Sequence, residues 1–209
     1  RSASIGEQIK LIRYFSKYNP DVLVMECMAV NPQYQWISEH KIVKSTLGVI
    51  TNVRLDHIDE MGSTLDEISY SLSNTIPFNS KVYTSEKRTV GPLSKISLER
   101  NSTLEVINDN NNISLDNLNK FSFIEHPENI SLALKVCEFL GVENKVALDG
   151  MINSQPDPGA LFVWDINVNS KNNKFVSAFA ANDPNSTSKV WQLIQKRELN
   201  LIFMVKFNT

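Results

Sequence analysis

The chain has 209 residues, 42% of them hydrophobic and 21% charged, with a formal net charge of -2 and a pI near 6.0. That is enough chain to bury a real core, and the composition is that of an ordinary globular protein. The weak negative charge excludes a basic field for nucleic acid or an anionic membrane, so an acidic or nucleotide substrate has to be held by local donors or by a metal.

In chain order, Ile5, Ile9, Ile12 and Phe15 recur at helical spacing, and Ser4 before Glu7 gives the S-x-x-E pattern that opens a helix. A helix over about 5–18 is expected, stopped by Asn19-Pro20-Asp21. Val22-Leu23-Val24-Met25 is then a short apolar run of the kind that makes a buried strand, and it stops at Glu26. The stretch 32–40 mixes aromatic and polar residues, as a short helix or a loop does. Leu47 to Ile50 is the second strand-like run. Directly after it stand Thr51-Asn52-Val53-Arg54-Leu55-Asp56-His57-Ile58-Asp59-Glu60-Met61-Gly62, an imidazole and several carboxylates packed just past a strand end.

Ser63 or Thr64 can cap a helix carrying Leu65, Ile68, Leu72 and Ile76, which ends at Pro77. Lys81-Val82-Tyr83-Thr84 reads as another strand, so strand and helix alternate as in βαβ units. Over 103–123 no pattern dominates, and Asn108-Asp109-Asn110-Asn111-Asn112 reads as an exposed turn or hairpin tip. Pro127 begins a helix with Ile130, Leu134, Val136 and Leu140, and Gly141 is placed to cap it. A short helix over 145–151 follows.

Gln155-Pro156-Asp157-Pro158-Gly159 can continue neither helix nor strand, which divides the chain into domains 1–155 and 156–209. Beyond it, strands over 160–168 and 175–179, a helix over 184–196 and a strand over 199–205 make the opening of a second α/β domain. The fold class expected for the whole is α/β. Beginning with Arg1 and running out before that domain closes, the chain reads as a piece of a longer protein.

If the runs before Glu26 and Thr51 are parallel strands of one sheet, Glu26 and His57 share the edge at which open α/β sheets bind ligands, and could share a divalent cation. Glu26 resembles the acidic residue with which ATPases hold Mg²⁺, although a carboxylate in that place also simply caps the next element. Asp56 and Asp59 flank His57 and could orient its ring; equally, Asp59 can favour the start of a helix through its dipole. His126 and Asn129 have helix capping as their plain reading. Cys27 and Cys137 show no CxxC spacing, so neither a zinc site nor a disulfide framework is indicated, and a reduced, cytosolic setting fits. No apolar run nears the ~18 residues of a membrane helix, and no signal peptide opens the chain. There is no G-x-x-x-x-G-K-[ST], so the usual cradle for nucleotide phosphates is not in this chain.

Val24-Met25-Glu26-Cys27-Met28-Ala29-Val30, the 51–62 stretch, Ser71-Leu72-Ser73-Asn74-Thr75-Ile76-Pro77 and Phe179-Ala180-Ala181-Asn182-Asp183-Pro184-Asn185-Ser186-Thr187 together resemble the ATP-dependent ligase subunits of poly-γ-glutamate synthases. These belong to the Mur ligase superfamily, with folylpolyglutamate synthase as a cousin. The resemblance implies most of a Mur-type central ATPase domain followed by the beginning of a Rossmann-like carboxyl-terminal domain. It further implies ATP-dependent amide ligation of glutamate at its γ-carboxylate through an acyl phosphate, with ATP and Mg²⁺ as cofactors.

Carried over by motif, Glu26 and His57 are the Mg²⁺-site residues and His57 with Asp56 the catalytic pair. Asn52 supports the site, and His126 with Asn129 matches an H-N-x-x-N stretch that lies near the adenine, with Pro127-Glu128 replacing part of the pattern. Tyr70-Ser71-Leu72-Ser73-Asn74 lacks the lysine that many Mur ligases carry there, and Ala181-Asn182-Asp183-Pro184 stands where cousins have A-H-N-P. The family's P-loop precedes the segment matched here, so the chain by itself is expected to be inactive. Implied partners are glutamate, the poly-γ-glutamate chain and membrane subunits of a synthase complex, with no nucleic acid, which places the protein in the cytoplasm beside the membrane. Rival readings are another Mur-type amino-acid ligase and a non-catalytic scaffold subunit.

Overall fold

The computed structural model describes residues 5–108, 113–156, 159–179, 181 and 184–197. The expected strand over 199–205 and most of the asparagine-rich turn lie outside them.

Helix α1 (Ile5–Phe15) continues into a 3-10 turn at Ser16–Tyr18 and ends at Asn19, whose φ of 45° is left-handed, a conformation Asn tolerates. The next stretch corrects the sequence reading. Val22-Leu23-Val24-Met25 forms no strand, and Val24 is 86% exposed. A short apolar run becomes a strand only where a neighbour supplies its ladder hydrogen bonds, and among the described residues none does. The segment is held at its end instead, where Gln8 Nε2 donates to the Glu26 carbonyl at 2.7 Å and Gln35 Nε2 to the Val30 carbonyl at 3.0 Å.

Helix α2 (Pro32–Ile37) starts with proline at its first position and Asn31 as cap, the Asn31 side chain accepting from Gln33 N–H. It runs on as a π-helical turn, Ser38–Val43. Then come β1 (Leu47–Ile50), the short α3 (Ile58–Met61), α4 (Leu65–Leu72), β2 (Lys81–Thr84), α5 (Val90–Glu99), β3 (Thr103–Val106), the short α6 (Leu115–Leu118), α7 (Pro127–Phe139), α8 (Asn144–Ile152), β4 (Phe162–Val168), β5 (Lys171–Ser177) and α9 (Pro184–Arg197). Helix α5 went unseen in the sequence because Gly91-Pro92 reads locally as a turn; a proline in the first helical turn removes an N–H that has no partner there anyway.

The described residues divide into two units, one within 1–113 and 127–147, the other within 114–126 and 148–209. In the first, β1, β2 and β3 form a parallel sheet in that order, with Ile50 opposite Thr84 and Thr84 opposite Val106. Parallel neighbours need long crossovers, which α4 and α5 supply. Ile50, Ile76, Val82 and Leu93 make the core between sheet and helices, and Leu72, Ile96 and Leu104 pack against it. Each such side chain, fully buried, contributes about 1.5–3 kcal/mol.

Arg100 staples this unit from the end of α5. Its Nη1 lies 2.8, 3.2 and 2.6 Å from the carbonyl oxygens of Ser73, Asn74 and Ile76, which follow α4. Arg100→Met is expected to lower stability by about 2–3 kcal/mol, read as a lower thermal midpoint, because those carbonyls keep their burial and lose their charged donor.

In the second unit β4 and β5 form an antiparallel hairpin, Trp164 opposite Phe175. Asn169 and Ser170 both have positive φ, 52° and 62°, the signature of a two-residue primed turn that matches the twist of the strands. That turn moves the second strand to Lys171–Ser177, earlier than the 175–179 expected from the apolar residues alone. Ile124, Leu161 and Ile194 form its core with Val163, Val176, Val190 and Leu193 against them. Among the described residues no helix is long and apolar enough to cross a membrane.

Candidate active site at the carboxyl end of the parallel sheet

Strand β1 runs out at Ile50, and the last bond of sheet type is Ser85 N–H to the Thr51 carbonyl at 3.2 Å. From there the chain must turn without ladder support. Asp56 N–H donates to the Arg54 carbonyl at 3.0 Å, which closes a tight turn, and His57 follows in the left-handed region with φ 49°. The Asp56 carboxylate accepts the His57 N–H at 2.8 Å. Its other oxygen lies 3.7 Å from His57 Nε2, with both side chains about half exposed. Helix α3 begins at the next residue, its first N–H bonds returning to the His57 carbonyl.

The crevice end of the sheet thus presents Asn52, half-buried, then Asp56 and His57 side by side. Asp59 and Glu60 occupy the first turn of α3, where negative charge suits the helix dipole, and Glu60 accepts from Asn31 Nδ2 at 3.0 Å. Glu26 is exposed, on the irregular segment rather than at the end of a strand of this sheet. Asn129 is exposed in the first turn of α7. His126 is half-buried, just before that helix, with its N–H donating to the Glu125 carboxylate at 2.8 Å.

Among the described residues no three His, Cys, Asp or Glu side chains converge into a metal cage. The Asp56 carboxylate and the Asn52 amide oxygen are of the ligand type that suits a Mg²⁺ ion, which binds few protein groups and keeps water and phosphate oxygens as its other ligands, while the His57 imidazole is the softer donor of the set. Asp56, His57 and Asn52 could hold it, with Glu26 as the further candidate.

One residue was missed by sequence reasoning. Glu86, two positions past β2, is 3% exposed, and its carboxylate accepts from the N–H groups of Val53, Lys87, Arg88 and Thr89. Burial alone would raise its pKa, but the N–H bonds from Val53, Arg88 and Thr89 and the Arg88 charge prevail and hold it below the ordinary carboxylate value. Its only sequence signal was a position past a strand end, shared with many solvated carboxylates.

No protein-family profile matches the chain. It is 40% identical over 191 residues to capsule biosynthesis protein CapB of Bacillus anthracis, covering 91% of this chain and 41% of that protein. It is 38% identical over 193 residues to PGA synthase CapB of Bacillus subtilis, covering 92% and 49%. The chain therefore spans about half the length of the curated relatives it matches. Among solved structures it superposes on an L. casei FPGS variant with a TM-score of 0.70 at 14% identity, over 90% of this chain and 51% of that one. An FPGS–AMPPCP complex gives 0.63 at 13%, with the same coverage. At such identities the structural likeness speaks for the fold.

Proposed function

We propose that the protein this chain forms part of, which is similar to the CapB proteins in sequence and to FPGS in fold, is an ATP-dependent ligase of poly-γ-glutamate synthesis. The observation that supports the reading is the segment after β1, which carries Asn52 and the adjacent Asp56–His57 pair past the carboxyl end of a parallel strand.

In the reaction proposed, a γ-carboxylate oxygen of glutamate attacks the terminal phosphorus of ATP, the bond to the bridging oxygen breaks, and ADP leaves an acyl phosphate. An amine nitrogen then attacks the acyl carbon and loses its proton. The phosphate departs with the electron pair of the carbon–oxygen bond, and an amide remains. The difficulty is the approach of several anionic oxygens, which calls for groups already oriented toward the developing charge. Bound Mg²⁺ supplies neutralisation of phosphate oxygens.

Asp56 holds the backbone of His57 and lies beside its ring, so the imidazole has a carboxylate neighbour at the carboxyl end of β1. Asn52 offers an amide on the sheet side of that pair, and Glu26 adds charge from the neighbouring segment. His126 and Asn129 are assigned to the adenine by the motif they match. Glutamate and the growing polymer are the substrates in this reading. Membrane subunits of a synthase are the partners, and the cytoplasmic side of the membrane is the place.

The test is amino-acid-dependent ADP release by the full-length protein with Mg²⁺. Stimulation by glutamate above other amino acids is the expected result. Stimulation by a different amino acid would instead assign another Mur-type ligase, and ATP turnover absent under every amino acid would favour a scaffold subunit.

A further inference from the structure

We infer that Glu86 is the positioning residue of the turn after β1: its buried carboxylate clamps the backbone at Val53 to the turn that opens α5, and so sets where Asn52, Asp56 and His57 stand. The inference rests on the ligase reading above.

A carboxylate with 3% exposure is costly to bury unless its oxygens are fully engaged. Glu86 divides its two oxygens between two tasks. Oε1 takes the N–H groups of Lys87, Arg88 and Thr89 at 3.1, 2.7 and 3.2 Å, the donors of its own turn. Oε2 reaches across to the N–H of Val53, 33 residues earlier, at 2.8 Å. Satisfying the local turn does not require that reach, since a short Asp or Ser side chain satisfies such donors locally.

The other side of the same residue is gripped as well. Arg88 Nη2 donates to the Val53 carbonyl at 3.2 Å, and the Arg88 Nε lies 3.7 Å from Glu86 Oε1. Val53 itself is fully buried. Ladder support ends at Thr51, so the Glu86–Arg88 clamp takes over where the sheet stops, between Asn52 on one side and the Arg54–His57 turn on the other.

The two oxygens make the idea separable. Glu86→Asp keeps the charge and can cap the local turn, but is one methylene short of Val53. Glu86→Gln keeps the length but turns an N–H₂ toward one of the two donor sets. In the full-length protein both variants are expected to lower kcat for glutamate-stimulated ADP release about 10–100-fold, the usual loss when a group supporting a ligating side chain is removed. KM for ATP should stay unchanged. Hydrogen exchange at the Val53 amide should accelerate in both, while α5 keeps its protection in Glu86→Asp. Arg100→Met serves as control, lowering the thermal midpoint with kcat unchanged.

Faster Val53 exchange with wild-type kcat would overturn the inference, as would a loss of kcat in Arg100→Met equal to that in the Glu86 variants. If wild type shows no glutamate-stimulated turnover, the ligase reading fails by itself; unchanged Val53 protection in both variants would then overturn the clamp.

Discussion

His57→Ala in the full-length protein is expected to reduce glutamate-stimulated ADP release by about 10²–10³-fold with the fold intact, the size of loss that follows when one oriented group facing developing charge is removed. The ring is about half exposed, with its Nε2 3.7 Å from Asp56, so its deletion opens no core cavity. Its backbone is the complication. At φ 49° an alanine is mildly strained, whereas asparagine tolerates that region, so His57→Asn separates loss of the imidazole from disturbance of the turn. Both variants should be equally slow, with the thermal midpoint held in His57→Asn and slightly lowered in His57→Ala. Glu26→Ala should share the defect if Glu26 faces the same ion; wild-type turnover in Glu26→Ala together with a slow His57→Asn would remove Glu26 from the site and leave the turn after β1 as the catalytic element. Full activity in both His57 variants would sink the site assignment.

Gly62→Ala is the substitution expected to cost most stability for one added methyl group. Gly62 has φ 121°, a backbone open in practice only to glycine, and a Cβ there would lie 2.4 Å from the Glu67 Cβ. Glu67 cannot yield freely. Its Oε2 accepts the N–H groups of Ser63 and Thr64 at 2.8 and 3.0 Å, while its own N–H donates to Thr64 Oγ1 at 3.2 Å, a complete capping box. Backbone strain of about 1–3 kcal/mol and loss of a cap worth about 1 kcal/mol put the total near 3 kcal/mol. Gly91→Ala is the matched control: nothing lies within 4 Å of a Cβ there, and alanine favours the helix. A thermal midpoint lowered by Gly62→Ala and held or raised by Gly91→Ala is the expected pair. An unchanged midpoint in Gly62→Ala would mean that the turn into α4 relaxes more easily than its contacts imply.

These residues differ in how far they could be read in advance. A cap at Ser63 or Thr64 was visible as local spacing; that Thr64 is the cap, that Glu67 closes the box and that Gly62 has a positive φ are read from the structure. The Asn52–Asp56–His57 turn was visible as polar groups following an apolar run, and the parallel pair β1-β2 agrees with the alternation of strand and helix patterns, whereas α5 and β3 were not read from the sequence. Val22 to Met25 has an equally strong strand pattern, yet it carries no ladder. Glu86 has no pattern at all and yet is among the most buried charged groups described. Glu86 finds its deciding partner 33 residues away at Val53, and Val22 to Met25 finds no ladder partner among the described residues.

The sequence by itself determined the α/β class, the helices α1, α4, α7 and α9, and the position of the candidate site past the Leu47–Ile50 strand, because periodicity, caps and breakers act over a few residues. Only the tertiary structure decided which apolar runs pair, that Arg100 closes the carbonyls after α4, and that Glu86 reaches Val53. Each of those depends on a hydrogen bond to a group more than twenty residues away. A backbone donor or acceptor looks the same in every residue until folding brings its partner to it.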